Sequence, residues 1–318
     1  MIRPFPPALP ISVNMSCVPA VGKSDEACAN CGKHGSGAAK LKICTACRVV
    51  KYCSVDCQKA HRKQHKRACK QRAAELEDER LYNQGHERPE GDSCPICALP
   101  IPPSVNEHSG FNACCMKRIC LGCNLAAKKR GMAGCPFCRT PSPENEADVL
   151  VMVTARVEKK DPAAINFLGE QYCFGNFGLQ MDMQRAVGLW TDAAELGSVE
   201  ALFNLGTTYY FGKGVGNDET KAVEFYKKAA MKGNIGSRYQ LGWIEGQRGN
   251  DDRAARHLVI SAKMGDKDSV ETIQNLFRDG IVTKEQYAEA LKGYQDALKE
   301  MKSHDRDEAK QLGLFWVE

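Results

Sequence analysis

The chain has 318 residues, of which 43% are hydrophobic, and this is enough to build at least one buried core in two or three domains. No run of 18 or more apolar residues occurs, and five prolines interrupt the first 21 residues, so we expect neither a membrane protein nor a secreted one. The expected location is intracellular, cytoplasmic or nuclear. The formal net charge of +5 omits the thiolates of metal-bound cysteines, so it gives no argument for nucleic-acid binding.

Cysteine is the most unusual component of the composition. There are 17 cysteines, and 15 of them lie between Cys28 and Cys138. In the reducing compartment that we expect here, cysteines paired across gaps of two or three residues indicate zinc ligands rather than disulfides.

The composition divides the chain into eight segments. In order, we expect a disordered Pro-rich arm (1–27), a zinc finger (28–69), a helical acidic linker (70–93), a second zinc finger (94–140), a linker with a half-repeat helix (141–163), three helical repeats (164–268), C-terminal capping helices (269–311) and an apolar tail (312–318). The predicted fold class is therefore small zinc-stabilised modules plus an all-α helical-repeat solenoid.

The first cysteine-dense segment contains four pairs of soft ligands: Cys28 and Cys31, Cys44 and Cys47, Cys53 and Cys57, His65 and Cys69. Zinc takes four such ligands in a tetrahedron, so the segment has enough for two ions. Three-residue gaps place two ligands one helical turn apart, and we therefore expect residues 54–70 to be mostly helical. A segment of this size cannot bury a sufficient core, so zinc binding must contribute most of its folding free energy.

These spacings, with Tyr52 directly before Cys53, resemble a MYND-type zinc finger from end to end. The resemblance implies interleaved ligation, with one zinc on Cys28, Cys31, Cys53 and Cys57 and another on Cys44, Cys47, His65 and Cys69. His61, one helical turn from His65, is the alternative histidine ligand. The family binds proteins, often through Pro-rich peptides, but Arg62 stands where the family has a tryptophan.

The first finger is strongly basic. Residues 28–72 contain twelve Lys and Arg against Asp56 alone, and the segment stays positive when thiolates and zinc are counted. An acidic protein partner would complement this charge. Nucleic acid is the less favoured alternative, because Tyr52 is the one aromatic side chain in this segment that could stack on bases.

The second segment supplies eight more potential ligands: Cys94, Cys97, Cys114, Cys115, Cys120, Cys123, Cys135 and Cys138. The pattern resembles a RING finger in which cysteine replaces histidine, although two ligands, Cys114 and Cys115, are adjacent. The resemblance implies cross-braced ligation of two ions, by Cys94, Cys97, Cys120 and Cys123 and by Cys114, Cys115, Cys135 and Cys138. The two fingers together predict four zinc ions.

RING fingers that act as ubiquitin ligases hold a ubiquitin-conjugating enzyme and contribute no nucleophile. The resemblance implies that Ile96 and Pro136 would dock such an enzyme and that Arg139 would hydrogen-bond both partners. Residues 124–134 lack the tryptophan that many active RING fingers keep. Ubiquitin ligase activity and a purely structural zinc knuckle both stay open at this point.

From residue 164 onward the sequence repeats with a period near 36 residues. The dipeptides Leu168-Gly169, Leu205-Gly206 and Leu241-Gly242 recur, as does a column of large side chains formed by Trp190, Tyr226 and Leu258. The pattern resembles the Sel-like repeat, a relative of the tetratricopeptide repeat. Such units stack into a solenoid that binds proteins, or that serves as a rigid spacer.

Two further expectations concern the repeats. We expect specificity to come from exposed side chains on the first helix of each unit: Glu170, Gln171, Thr207, Thr208, Trp243 and Glu245. A helix capped by Thr283 with Gln286 is expected to close the array.

The favoured hypothesis is an intracellular zinc-binding adaptor for protein–protein interaction. A RING-type ubiquitin ligase whose repeats select the substrate is the first alternative, and a nucleic-acid-associated regulator is the second.

Overall fold

The computed structural model describes residues 27–35 and 40–313. In this part of the chain there are thirteen α-helices, one 3-10 helix and two small antiparallel sheets. The described residues fall into two compact units that meet in the sequence between Asn83 and Gln84. The predicted Pro-rich arm, apart from Ala27, and most of the apolar tail lie outside the described residues.

The first unit is a small finger that continues into one long helix. Its two strands, β1 (Lys42–Ile43) and β2 (Lys51–Tyr52), pair antiparallel. Helix α1 (Val55–Asn83) confirms the helix expected over 54–70 and extends it well beyond. The buried centre of the finger consists of Tyr52 and cysteine side chains rather than aliphatic ones. Hydrophobic packing is therefore small here, as expected for a module that a metal holds together.

A 3-10 helix (Glu90–Asp92) precedes the second finger, whose first helix is the short α2 (Val105–His108). The hairpin of β3 (Ser109–Asn112) and β4 (Lys117–Cys120) follows, with Ser109 opposite Cys120. Helix α3 (Leu121–Lys129) starts where β4 ends. The buried side chains of Ile101 and Ile119 pack with the cysteines, so this finger has a small apolar core of its own.

The remainder of the second unit is helical. Its helices are α4 (Glu146–Val157), α5 (Pro162–Phe174), α6 (Met183–Glu195), α7 (Val199–Phe211), α8 (Glu219–Ala230), α9 (Ile235–Gln247), α10 (Asp251–Lys263), α11 (Lys267–Arg278), α12 (Lys284–Glu300) and α13 (His304–Gln311). Side chains of Asp, Ser, Asn and Thr accept a hydrogen bond at the start of most of these helices, which satisfies backbone amides that would otherwise be unpaired. The expected capping box of Thr283 and Gln286 is present at α12.

The repeating columns of the sequence are contact partners in the structure. A Cβ atom on Gly206 would lie 2.7 Å from Cδ1 of Tyr226, and one on Gly169 would lie 2.7 Å from Nε1 of Trp190. Glycine at these positions lets the second helix of each unit approach the first helix closely. The period near 36 residues therefore reflects one packing contact repeated in successive units.

The expectation about exposed residues on the first helices is wrong. Gln171, Thr208 and Glu245 are buried, at 3 to 5% exposure, and the other three expected residues are only half-buried: Glu170, Thr207 and Trp243. The buried side chains turn into the packed array, where Glu245, for example, accepts a hydrogen bond of 2.8 Å from Asn250. Two large exposed apolar side chains, Phe174 and Phe211, lie instead at the ends of first helices.

The second finger packs against the helical array within the second unit. The rings of Phe111 in β3 and Phe167 in α5 stack with centroids 4.8 Å apart. Gly233 lies so close to the carbonyl oxygen of Glu87 that a Cβ atom would not fit between them, so the segment before the finger also touches the array. None of the described helices combines the length and the apolar character needed to cross a bilayer.

Candidate metal centres

The structure gathers the sixteen candidate ligands into four groups. Within each group all ligand atoms lie within 4.8 Å of one another. The groups are Cys28, Cys31, Cys53 and Cys57; Cys44, Cys47, His65 and Cys69; Cys94, Cys97, Cys120 and Cys123; and Cys114, Cys115, Cys135 and Cys138.

The distances within the groups fit zinc. A tetrahedral ion with Zn–S bonds of about 2.3 Å places its sulfur ligands about 3.8 Å apart. The Sγ atoms of Cys97 and Cys120 are 3.8 Å apart, and those of Cys44 and Cys69 are 3.7 Å apart. A disulfide would need about 2.05 Å, and the described cysteines are all free thiols. Each group could therefore hold one zinc ion, and zinc is the cofactor that this donor chemistry selects.

The first group joins a turn to the start of α1. Cys28 lies in a tight turn that the hydrogen bond from Gly32 N to Cys28 O closes at 2.9 Å. Cys53 and Cys57 stand one helical turn apart, with their Sγ atoms 3.5 Å from each other. Cys31 completes the group at 3.6 Å from Cys53. Ligands far apart in sequence therefore meet at one point.

The second group contains the histidine. Nε2 of His65 lies 3.3 Å from Sγ of Cys47. The alternative ligand His61 is outside the group, because its Nδ1 lies 3.1 Å from the hydroxyl of Tyr52. The His61 ring stacks on the His65 ring with centroids 5.6 Å apart. The side chain of His61 therefore supports His65 from outside the group.

The third and fourth groups interleave along the second finger. Cys120 ends β4, and its sulfur accepts a hydrogen bond of 3.5 Å from the amide of Cys123 at the start of α3. The adjacent Cys114 and Cys115 both reach the fourth group, where Cys115 lies 3.6 Å from Cys135. Adjacency of these two cysteines is thus compatible with a four-ligand site.

The thiols of a group share protons when no cation is bound. A backbone hydrogen bond at Cys31 lowers the pKa of Cys28 to about 6, whereas the side-chain hydrogen bond with Cys57 raises the pKa of Cys53 to about 12. One sulfur is thus ionised easily while its neighbour keeps a proton. Zinc replaces such protons, so its binding releases them and weakens in acid.

The proposed docking residues lie on two turns of the same geometry. In one turn Ala98 N donates to Cys94 O at 2.8 Å, and in the other Arg139 N donates to Cys135 O at 2.9 Å. Ile96 on the first turn is 49% exposed, Pro136 on the second is half-buried, and Arg139 is exposed. All three side chains lie beside predicted zinc ligands and are open to solvent at least in part.

One residue near the sites was not anticipated. Nη2 of Arg306, in α13, lies 3.5 Å from Sγ of Cys97. The two residues are 209 positions apart, and no spacing or motif in the sequence connects them.

Comparison with known families identifies two of the modules. The model of the MYND finger matches residues 28–69, and that of the Sel1 repeat matches residues 162–198, 199–234 and 235–266. The chain carries a MYND finger and three Sel1 repeats. Each Sel1 repeat corresponds to one helix pair: α5 with α6, α7 with α8, and α9 with α10. The MYND finger and the Sel1 repeat are both protein-interaction modules, and the four ligand groups could each hold a zinc ion.

Similar proteins cover the chain only in part. A component of an ERAD-associated E3 ubiquitin-protein ligase of Arabidopsis thaliana is 33% identical over 75 residues, which is 23% of this chain and 12% of that protein. Chitin synthase regulatory factor 4 of Schizosaccharomyces pombe is 27% identical over 107 residues, 33% of this chain and 17% of that protein. The chain thus spans less than a fifth of the length of these relatives.

Two solved structures are also similar to this chain. A Sel1 repeat protein from Oxalobacter formigenes has 25% identity and a TM-score of 0.42, over 48% of this chain and 64% of its own. A protective antigen with an SLR fold from uropathogenic Escherichia coli has 25% identity and a TM-score of 0.43, over 60% of this chain and 40% of its own.

Proposed function

We propose that the chain is an intracellular adaptor that holds four structural zinc ions, one on each group of ligands, and joins partner proteins. The observation that carries the proposal is the presence of two different interaction modules in the two units of one chain. A protein with two such modules can hold two partners at once, which raises the local concentration of each near the other.

On the MYND finger, the proposed contact surface is a groove of about 320 Å³ beside β2. It is lined by Cys28, Ala29 and the segment 49–51, and Val49 is 57% exposed. Val49 is not a ligand, so its side chain can be changed without removing a metal donor. An extended peptide segment would fit beside this short sheet.

On the Sel1 repeats, the proposed contact surface lies at the C-terminal ends of the first helices. Phe174 and Phe211 occupy equivalent positions in the first two repeats and are 69% and 58% exposed. Large aromatic side chains that stay in solvent are typical of protein contact surfaces.

The experiment captures partners with the full-length protein and compares four variants. Val49→Asp should lose one set of partners and Phe211→Asp a different set. The matched controls are Val55→Asp, in the same unit and equally exposed at 57%, and Val151→Asp, which is 70% exposed in α4. The controls should retain every partner. Capture that is identical for all four variants and the wild type would contradict the adaptor proposal.

Ubiquitin ligase activity is a second candidate for the second finger. It is favoured by the exposure of Ile96 and Arg139 on the two equivalent turns and by the interleaved ligand groups, which resemble a RING finger. One of the curated relatives is named as a component of a ubiquitin ligase, and this adds to the proposal.

The test is ubiquitin transfer in vitro with a panel of conjugating enzymes. Arg139→Ala should reduce transfer while the zinc content stays unchanged, because arginine is not a ligand. Arg130→Ala, an exposed arginine at the end of α3, is the matched control and should transfer normally. No transfer by the wild type, or equal transfer by all three proteins, would contradict ligase activity. The adaptor would then be the one proposed function that remains.

A further inference from the structure

Helix α13 is docked on the second finger at its third ligand group. The start of α13 lies against α3, since a Cβ atom on Gly122 would be 2.6 Å from the backbone nitrogen of Arg306. Gly122 itself stands between the candidate ligands Cys120 and Cys123. The close approach of the two helices thus occurs directly beside the metal site.

The guanidinium of Arg306 connects α13 to the turn that carries Cys97. Its Nη1 donates to the carbonyl oxygen of Pro100 at 2.6 Å, and its Nη2 donates to that of Leu99 at 3.1 Å. The same Nη2 lies 3.5 Å from Sγ of Cys97, and Nη1 also donates to Met301 O at 2.7 Å. The planar guanidinium is suited to hold several acceptors in fixed positions.

The charge of the site explains why an arginine belongs there. Four thiolates around one Zn²⁺ leave a net negative charge, and this third group is the most enclosed of the four, since three of its cysteines are buried. A cation that donates a hydrogen bond to one sulfur stabilises this charge and fixes the orientation of the ligand.

We propose that Arg306 is a positioning residue of the zinc site formed by Cys94, Cys97, Cys120 and Cys123, and that it links zinc occupancy of this site to the docking of α13. The proposal rests on zinc occupancy and not on ubiquitin transfer or on any partner. Coupling between two binding events is reciprocal. If the docking of α13 through Arg306 stabilises bound zinc, then bound zinc stabilises the docking of α13 by the same free energy.

The experiment follows zinc loss from each site of the full-length protein in the presence of a chelator. Cysteines are alkylated as they are released, and mass spectrometry of the peptides reports each group separately. Removing a hydrogen-bonding partner of a metal ligand costs about 10–100-fold in metal affinity. Arg306→Met should therefore speed the alkylation of the third group by about 10–100-fold, and the other three groups should keep their wild-type rates.

Two further variants separate this role from simple packing. Arg306→Lys keeps the charge but loses the planar set of donors, so it should release zinc at a rate between those of the wild type and Arg306→Met, which a role in packing alone would not predict. Lys129→Ala removes the exposed ion pair of Lys129 with Glu308 at the same helix contact and should release zinc at the wild-type rate. Hydrogen exchange of the amides of 304–311 should rise in Arg306→Met, and also in the wild type after the third group has lost its zinc.

The proposal would be overturned by unchanged release from Arg306→Met, or by equal acceleration in Arg306→Met and Lys129→Ala. It would also be overturned if Arg306→Lys released zinc as fast as Arg306→Met. Should Arg306→Met lose its helical circular dichroism, the comparison of Arg306→Lys with Lys129→Ala decides: faster release from Arg306→Lys alone supports the proposal, and equal rates overturn it.

Discussion

The hydroxyl of Tyr52 lies 3.1 Å from Nδ1 of His61, and this contact holds the His61 ring against the ring of His65. Two histidines one helical turn apart therefore have different positions relative to the metal site. We predict that His65→Ala lowers the zinc content of the protein by one ion, because three thiolates are left around that ion. His61→Ala should keep the full zinc content, as measured by elemental analysis of the purified proteins. If His61→Ala lost one zinc ion and His65→Ala lost none, the ligand would be His61.

Close packing at Gly206 predicts a loss of stability when a side chain is added. Because a Cβ atom would lie 2.7 Å from the ring of fully buried Tyr226, Gly206→Ala should lower the free energy of unfolding by about 1–3 kcal/mol. Urea unfolding followed by helical circular dichroism measures this change.

Gly188 provides the matched control for that substitution. It lies in the interior of α6, and a Cβ atom added there would point into open space, with no neighbouring side chain within 4 Å. Gly188→Ala should leave stability unchanged or raise it by up to about 1 kcal/mol, because alanine favours a helix over glycine. A similar effect of both substitutions would mean that the close contact between Gly206 and Tyr226 does not contribute to the stability of the repeats.

The buried side chain of His257 should make the free energy of unfolding depend on pH. Burial and the nearby charge of Arg238 hold the pKa of His257 well below its ordinary value of 6.5. In the unfolded chain the imidazole takes up a proton near that ordinary value, whereas in the folded protein it stays neutral. Acidification below about pH 6.5 therefore stabilises the unfolded state relative to the folded one.

The measurement is urea unfolding at pH 7.5 and pH 5.5 for the wild type and His257→Gln. The wild type should lose more stability between these pH values than the variant does. Acid also weakens zinc binding, but it does so in both proteins, so the difference between them isolates His257. An equal loss in the two proteins would contradict the prediction.

The sequence predicted the features that depend on local spacing. Gaps of two and three residues pair the cysteines, and the period near 36 residues pairs Gly206 with Tyr226, because turns and helices convert such spacings directly into geometry. Contacts between distant segments were not predictable in this way. Neither Gly122 nor Arg306 carries a signal of the contact between α3 and α13, since that contact depends on how the whole second unit folds.

The burial of Gln171, Thr208 and Glu245 shows a second limit. Polar residues on a helix were expected to be exposed, but each helix of a solenoid packs on more than one neighbour, so little of its surface stays in solvent. Hydrogen bonds within the repeat, such as that from Asn250 to Glu245, compensate for the burial of these polar groups. Composition alone does not indicate which polar residues are compensated in this way. The proposed boundaries of the eight segments stay predictions.

The most direct test of a four-zinc protein is the mass of the intact chain under native conditions, combined with a count of reactive thiols. We expect the mass of the polypeptide plus four zinc ions, with 15 of the 17 cysteines protected from alkylation until a chelator is added. Cys17 and Cys173, which belong to none of the four groups, should account for the reactive thiols. A mass with two or fewer zinc ions, together with disulfide bonds among the 15 cysteines, would contradict this account.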